Sequence, residues 1–177
     1  MVTFSFLLLG LILLAVQTTL FTLFPHWLGT PDLVFILLVF SVYKFSWFPG
    51  LLLAFLLGWA LDVASGMFPG TYPLLALLVF VVVKFLTQNS PVKETAYQIP
   101  LVGVSYFMVQ CFCFLFFSLT QPDLLPSWSW SRMVQETFIL LVASIPCFIL
   151  FNWLYEKIVK RRLAGRSLKR RSGNRFR

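Results

Sequence analysis

Two acidic residues lie inside apolar segments, where a carboxylate could carry a proton or bind a solute. Asp62 belongs to LLLAFLLGWALDVASG, and Glu136 lies near the start of the last apolar segment. A charge at the centre of a bilayer costs about 2.5 to 3.5 kcal/mol on insertion scales, so it normally has a partner. Free amides in the turn at Ser65 and Gly66 could serve Asp62, and Arg132 lies one helical turn before Glu136. We interpret both acids as structural, with a proton or solute pathway at Asp62 as the alternative.

The other reactive residue types have no spacing that predicts catalysis or metal binding. His26 is the only histidine and has no cysteine or aspartate at ligand spacing. Lys44 and Lys84 lie close to the ends of apolar segments, so each ammonium could extend to the head groups. The cysteines lie in apolar segments without Cys-x-x-Cys spacing, at Cys111, Cys113 and Cys147. The sequence therefore predicts no catalytic residue, cofactor, metal site or disulfide.

The composition is that of a membrane protein. Of 177 residues, 59% are hydrophobic and 11% are charged, more apolar material than one soluble core of this length can hide from water. The charge-free runs from Phe4 to Phe24 and from Ile99 to Thr120 each match the roughly 20 residues needed to cross a bilayer. The first run lacks the basic start of a secretory signal, which favours a retained span.

Proline, glycine and polar residues divide the chain into six predicted transmembrane helices. Their ranges are 4–24, 32–47, 48–63, 73–87, 98–120 and 132–155, and a basic cytoplasmic tail follows at 156–177. The second and third helices would have about 16 residues, or about 24 Å, so burial among neighbours or local thinning must accommodate them. The predicted fold class is an all-α integral membrane protein, a bundle of six transmembrane helices.

The distribution of basic residues predicts the orientation. With six spans, Lys44, Lys84, Lys93 and the tail share one side, while the three opposite loops have no Lys or Arg and only Arg132 lies at a boundary. The basic side is expected in the cytoplasm, together with both termini. Tryptophans fit two interfacial belts, with Trp27, Trp128 and Trp130 outside and Trp47 and Trp153 inside.

Small residues recur every fourth position along the third predicted helix. They are Gly50, Ala54, Gly58, Asp62 and Gly66, and this spacing places them on one helix face. Within lipid, such a face promotes helix association because it lets two backbones approach closely. It predicts a helical neighbour, either another helix of this chain or a partner protein.

The tail contains two basic clusters, one at Lys160, Arg161 and Arg162 and one at Lys169, Arg170 and Arg171. Each basic residue near an anionic leaflet contributes about 1 kcal/mol, so we expect the tail to contact anionic lipids and fix the orientation. An acidic cytoplasmic partner is the alternative. Nucleic acid is disfavoured because the tail has one aromatic residue, Phe176, and no folded platform.

A further pattern runs through the segment between about residues 30 and 80. Pro-Asp enters the second span, a glycine-rich third span reaches Asp, and Ser-Gly and another Gly precede the fourth span. The positions are Pro31, Asp32, Gly58, Asp62, Ser65, Gly66 and Gly70. The pattern resembles the rod shape-determining protein MreD family of bacteria, although the long basic tail exceeds the usual family pattern.

The resemblance implies a non-catalytic subunit of the bacterial elongation complex in the inner membrane. Such a subunit would bind the single-span coiled-coil protein MreC, and through it MreB, RodA and a class B penicillin-binding protein, and would support lateral peptidoglycan synthesis and cell shape.

The resemblance also implies a fold similar to the S-components of energy-coupling-factor transporters. The alternative function is therefore a substrate-binding subunit of a vitamin transporter, which needs a pocket with several polar groups. The spans offer mainly Gln17, Asp62, Gln110 and Glu136, few and scattered, so we favour the shape-complex subunit.

Overall fold

The computed structural model describes residues 2–23, 32–66, 70–89, 95–120 and 130–173, and every element in these ranges is an α-helix. The helices are α1 (Val2–Leu23), α2 (Leu33–Lys44), α3 (Trp47–Ser65), α4 (Thr71–Asn89), α5 (Thr95–Thr120) and α6 (Trp130–Gly173). The prediction of an all-α chain with six helices is confirmed for the described residues. Pro31 and the predicted outer loop residues His26, Trp27 and Trp128 lie outside them.

Four of the described helices are long and apolar enough to cross a membrane. The qualifying segments are Val2–Thr19, Trp47–Ser65, Thr71–Gln88 and Trp130–Lys160. The apolar parts of α2 and α5 are shorter, at Leu33–Lys44 and Ile99–Leu115. These lengths are consistent with a membrane protein and single out α2 as the shortest element.

Several helix boundaries differ from the predicted ones, and the differences with the clearest causes are the α2–α3 break and the end of α6. The break between α2 and α3 falls at Phe45 and Ser46, and Pro49 lies in the first turn of α3. Proline is tolerated there because the first N–H groups of a helix have no intrahelical partner. At the other end of the chain, α6 continues past 155 to Gly173. Lysine and arginine are good helix formers, so leaving the apolar segment does not require the helix to end.

Helix α2 is the centre of the bundle. Every residue from Val34 to Val42 is buried, and α2 packs against each of the other five helices. A helix that is apolar on all sides is stable only when it is surrounded. The structure therefore shows the burial among neighbours that was expected for a short second helix.

An aromatic cluster packs α2 against α1 and α6. The ring of Phe6 from α1 stacks on Phe40 of α2 with centroids 5.8 Å apart. From α6, Phe148 and Phe151 meet the same Phe40 ring edge-on at 5.7 and 5.6 Å. Such pairs contribute about 0.5 to 1.5 kcal/mol each beyond area burial. The cluster therefore joins the first and last helices of the chain through α2.

The outer helix faces are apolar. On α3 the exposed side chains are Phe48, Leu52, Phe55, Trp59 and Val63. Comparable exposed residues on α6 include Phe138, Val142 and Ile149. Contiguous apolar surface of this extent is unusual for a soluble monomer and is consistent with lipid contact.

Candidate functional site

The small-residue face of α3 is covered by α4. Gly50, Ala54, Gly58 and Asp62 are all buried. A Cβ atom added at Gly58 would lie 2.6 Å from Cα of Pro73 and 2.9 Å from the carbonyl oxygen of Tyr72. These neighbours are backbone atoms, so the close approach of α4 requires glycine at this position. The helical neighbour predicted from the spacing is therefore a helix of the same chain.

The fifth member of that face, Gly66, ends α3. Its φ of 62° is left-handed, and its N–H donates to the carbonyl oxygen of Asp62 at 3.2 Å. The Ser65 hydroxyl donates to the same carbonyl at 3.1 Å. Glycine adopts this conformation without the steric cost that a Cβ atom imposes, which is why it commonly follows the last helical residue. Ser65 and Gly66 therefore terminate the helix.

The Asp62 carboxylate joins the end of α3 to the start of α4. Its Oδ2 accepts a hydrogen bond from the N–H of Gly70 at 2.5 Å. Gly70 has a left-handed φ of 97° and immediately precedes α4. A turn amide was expected as the partner, but the expected donors, Ser65 and Gly66, were wrong. The Gly66 N–H is already used by the Asp62 carbonyl, which leaves the next turn to supply the donor.

Asp62 is only 7% exposed. Its second oxygen, Oδ1, has no hydrogen-bond partner among the described residues. The Asp62 side chain therefore closes the α3–α4 connection from within the bundle.

Substitution of Asp62 separates this structural role from proton transfer. Asn keeps an oxygen that can accept from the Gly70 N–H, so Asp62→Asn should lower the melting temperature only slightly. Asp62→Ala removes the acceptor and should cost about 0.5 to 1.5 kcal/mol of stability, because the Gly70 N–H loses its hydrogen-bond partner in the connection. Thermal unfolding of both detergent-solubilised variants provides the measurement. If Asn abolished function in a stably folded protein, the ionisable group itself would be required and the structural interpretation would be wrong.

The start of α2 is capped from two directions. Asp32 is the N-cap residue, and its Oδ1 accepts from the N–H of Phe35 at 3.0 Å. Gln17 of α1 accepts through Oε1 from the N–H groups of Leu33 and Val34 at 3.1 and 3.5 Å. The exposed amides at the start of a helix need such acceptors where water is excluded. Asp32 caps the helix that it immediately precedes, a role that its sequence position predicts. Gln17 caps α2 from another helix, so the sequence alone does not predict its role.

The end of α2 is capped by Lys84 of α4. Its ammonium donates to the carbonyl oxygens of Val42 and Phe45 at 2.5 and 2.8 Å. A cation at a helix C-terminus pairs with carbonyl groups that lack intrahelical donors and complements the negative end of the helix dipole. Lys84 was expected to extend to the head groups, and the structure adds that its ammonium binds two carbonyl oxygens at the end of α2. Lys44 instead contacts an aromatic ring, with its Nζ 5.4 Å from the Tyr155 ring centroid.

Glu136 links α6 to α5. Its Oε1 lies 3.3 Å from Nε of Arg132, which confirms the predicted pair four residues apart. Its Oε2 accepts from the Gln110 amide at 3.0 Å. The amide oxygen of Gln110 has no hydrogen-bond partner among the described residues. The two polar residues therefore bridge neighbouring helices.

The family-pattern residues that the structure describes gather at one end of the bundle. Lys84 near the end of α4 contacts the end of α2, so the starts of both helices lie at the opposite end, together with the end of α3. Asp32, Asp62, Ser65, Gly66 and Gly70 all lie there, at helix starts, stops and connections. These residues cap helices and connect them. Among the described residues, no group of His, Cys, Asp and Glu could hold a metal ion.

No protein-family model, curated protein or solved structure compared with the chain matches it.

Proposed function

We propose that this chain is a non-catalytic membrane subunit of the bacterial rod-shape complex. In this role it crosses the inner membrane six times with both termini in the cytoplasm. It binds MreC and, through it, supports the work of MreB, RodA and a class B penicillin-binding protein on the lateral wall. The observation that carries the proposal is the connection between α3 and α4, in which Asp62 binds Gly70 and Gly58 contacts Pro73. The residues that resemble the MreD pattern form this connection.

The geometry of α2 supports counting it as a span. Its 12 residues extend about 18 Å, less than the roughly 30 Å hydrocarbon core. Because five helices enclose it, its ends need protein partners instead of head groups. Asp32 and Gln17 satisfy one end and Lys84 the other. This count leaves Lys44, Lys84 and the basic end of α6 on one side, as the positive-inside rule requires of a cytoplasmic face.

The use of the buried polar groups favours a scaffold over a transporter subunit. The side chains considered for a ligand pocket bind protein groups instead: Gln17 caps α2, Asp62 binds Gly70, and Gln110 binds Glu136. A vitamin-binding subunit would have several such groups free and pointing into a cavity. Within the part of the chain that the structure describes, two oxygens of these side chains have no hydrogen-bond partner, Oδ1 of Asp62 and Oε1 of Gln110. A small molecule copurifying in stoichiometric amount would favour the transporter alternative.

Because α4 covers the small-residue face of α3, a partner must bind to another surface of the protein. Since α4 occupies the face around Gly58, a foreign helix cannot use it while the bundle is intact. MreC contributes a single membrane span in this proposal, so the contact lies on an exposed apolar face.

Depleting the protein tests its proposed role in the rod-shaped bacterium that carries the gene. We expect cells to widen and round over a few generations, because lateral wall synthesis loses a required subunit. Re-expression of the wild-type chain should restore rods, and phase-contrast measurement of cell width gives the readout. Cells that stay rod-shaped at full depletion would rule the role out.

A further inference from the structure

The part of α6 beyond Tyr155 carries most of the chain's positive charge. Between Glu156 and Gly173 the sequence has eight Lys and Arg and one acid. The backbone remains helical throughout, since α6 runs without interruption from Trp130 to Gly173. A basic segment with this structure is a rod continuing a membrane helix, where the sequence alone predicted only a tail.

Two contacts place the head-group level near the start of this extension. The Lys157 ammonium lies 4.0 Å from the centroid of the Trp153 ring. Lys160 pairs with Glu156 at 3.7 Å. Tryptophan beside lysine is typical of a membrane interface, where the ring and the charge meet the head groups together. The extension therefore leaves the lipid at about residues 153 to 157.

Helix geometry separates the two basic clusters by their distance from the lipid. At 1.5 Å per residue, Arg161 lies about 9 Å and Arg170 about 22 Å beyond Tyr155 along the axis. With a Debye length of about 8 Å, the surface potential falls to about one third at the inner position and one fifteenth at the outer one. An anionic leaflet can attract the inner cluster but exerts almost no force on the outer cluster.

The residue pattern also opposes a helix lying flat on the membrane. Neighbouring residues of a helix lie 100° apart, so three consecutive basic residues cover a wide arc of the surface. On a helical wheel the apolar positions are spread around the whole circle and alternate with basic ones; they are Ile158, Val159, Leu163, Ala164 and Leu168. A helix that lies in the interface needs one continuous apolar stripe. This extension has none.

We propose that the outer cluster of Lys169, Arg170 and Arg171 docks onto an acidic protein surface in the cytoplasm, while Lys160, Arg161 and Arg162 contact anionic head groups. The inference rests on the cytoplasmic orientation proposed above and not on the shape-complex role. Leucines between the cations suit a protein surface, which offers carboxylates and apolar contacts together. Single-stranded nucleic acid would require stacking aromatics, and the segment from Glu156 to Gly173 has none.

Matched charge removal tests the assignment. The full chain is placed in nanodiscs of phosphatidylcholine and titrated with fluorescent poly-L-glutamate as the acidic polypeptide probe. One variant carries K169Q, R170Q and R171Q, and the control carries K160Q, R161Q and R162Q, so each loses three charges. We expect the outer variant to bind at least tenfold more weakly and the control less than threefold, because the disc obstructs the inner cluster. Equal losses, or a loss only in the control, would overturn the proposal.

Two further measurements test whether the outer cluster binds lipid or nucleic acid instead of an acidic protein. In discs with 30% phosphatidylglycerol, trypsin cleavage after Arg161 and Arg162 should slow several-fold, while cleavage at the outer cluster should change less than twofold. Protection of both clusters would mean that the extension lies on lipid.

A single-stranded oligonucleotide of equal charge that bound tenfold more tightly than polyglutamate would assign nucleic acid instead. A periplasmic location of a reporter fused after Arg177 would refute the orientation and the inference, whereas unchanged cell shape on depletion would affect only the shape-complex role.

Discussion

Gly58→Ala should destabilise the protein strongly although it adds a single methyl group. The new Cβ would lie 2.6 Å from Cα of Pro73 and 2.9 Å from the Tyr72 carbonyl oxygen, and neither backbone atom can move without shifting α4. Overpacking of a rigid site costs about 1 to 3 kcal/mol. For a chain of this length, that corresponds to a fall in melting temperature of roughly 3 to 10 °C. Thermal unfolding in detergent, followed by loss of helical circular dichroism, provides the measurement.

Two control substitutions on the same helix isolate the backbone contact. At Gly50 the nearest atoms to an added Cβ belong to the Phe80 ring, which is fully buried, so Gly50→Ala should also destabilise the protein, but by displacing a side chain and not the backbone of α4. Ala64 is exposed near the end of α3, so Ala64→Leu should leave the melting temperature unchanged. If all three variants melted together, the close approach of α4 at Gly58 would not be a determinant of stability.

Lys84→Met should be the most damaging single charge removal among the described residues. It leaves the carbonyl oxygens of Val42 and Phe45 without the donor that caps them inside the bundle. Hydrogen bonds to a charged group contribute about 1.5 to 3 kcal/mol each, and the interaction with the helix dipole adds about 0.3 to 1 kcal/mol. Methionine fills a similar volume, so the loss is electrostatic rather than a cavity. We expect a poorly expressed protein that unfolds more readily in denaturant titrations.

The matched control is Lys44→Met. Lys44 is exposed and its ammonium faces the Tyr155 ring, a contact of about 0.5 to 1 kcal/mol at an exposed site. Both lysines count equally toward the orientation of the chain, so a shared effect would reflect membrane insertion. A specific loss in Lys84→Met would reflect the cap on α2. Equal stability of the two variants would show that the carbonyl oxygens find other donors.

The features that the sequence predicted correctly are those governed by short spacing. The pair of Arg132 and Glu136 follows from a four-residue step on one helix, and the buried face of Gly50, Ala54 and Gly58 follows from the same period. The helix number follows from apolar length and from the proline and glycine between segments. Each of these depends on geometry within one element, which helical periodicity fixes.

The features that were missed depend on contacts between elements. Gln17 caps a helix that begins 16 residues later, and Lys84 reaches carbonyl groups 42 and 39 residues earlier. No spacing rule connects such positions, because the packing of α1 and α4 against α2 brings them together. One signal was available: a 12-residue buried helix must have both ends satisfied by protein. That requirement predicts one acceptor and one donor from neighbouring helices without naming them.

Copurification tests the central claim most directly. The tagged full chain is crosslinked through photoreactive residues at exposed α3 and α6 positions in its own host, extracted in detergent and analysed by mass spectrometry. The account predicts that a single-span protein with a periplasmic coiled coil is crosslinked and recovered in near-equal amount, with a matched buried position such as Leu53 giving none. Recovery of an ATPase-linked transporter module with a bound vitamin, and no coiled-coil partner, would contradict it.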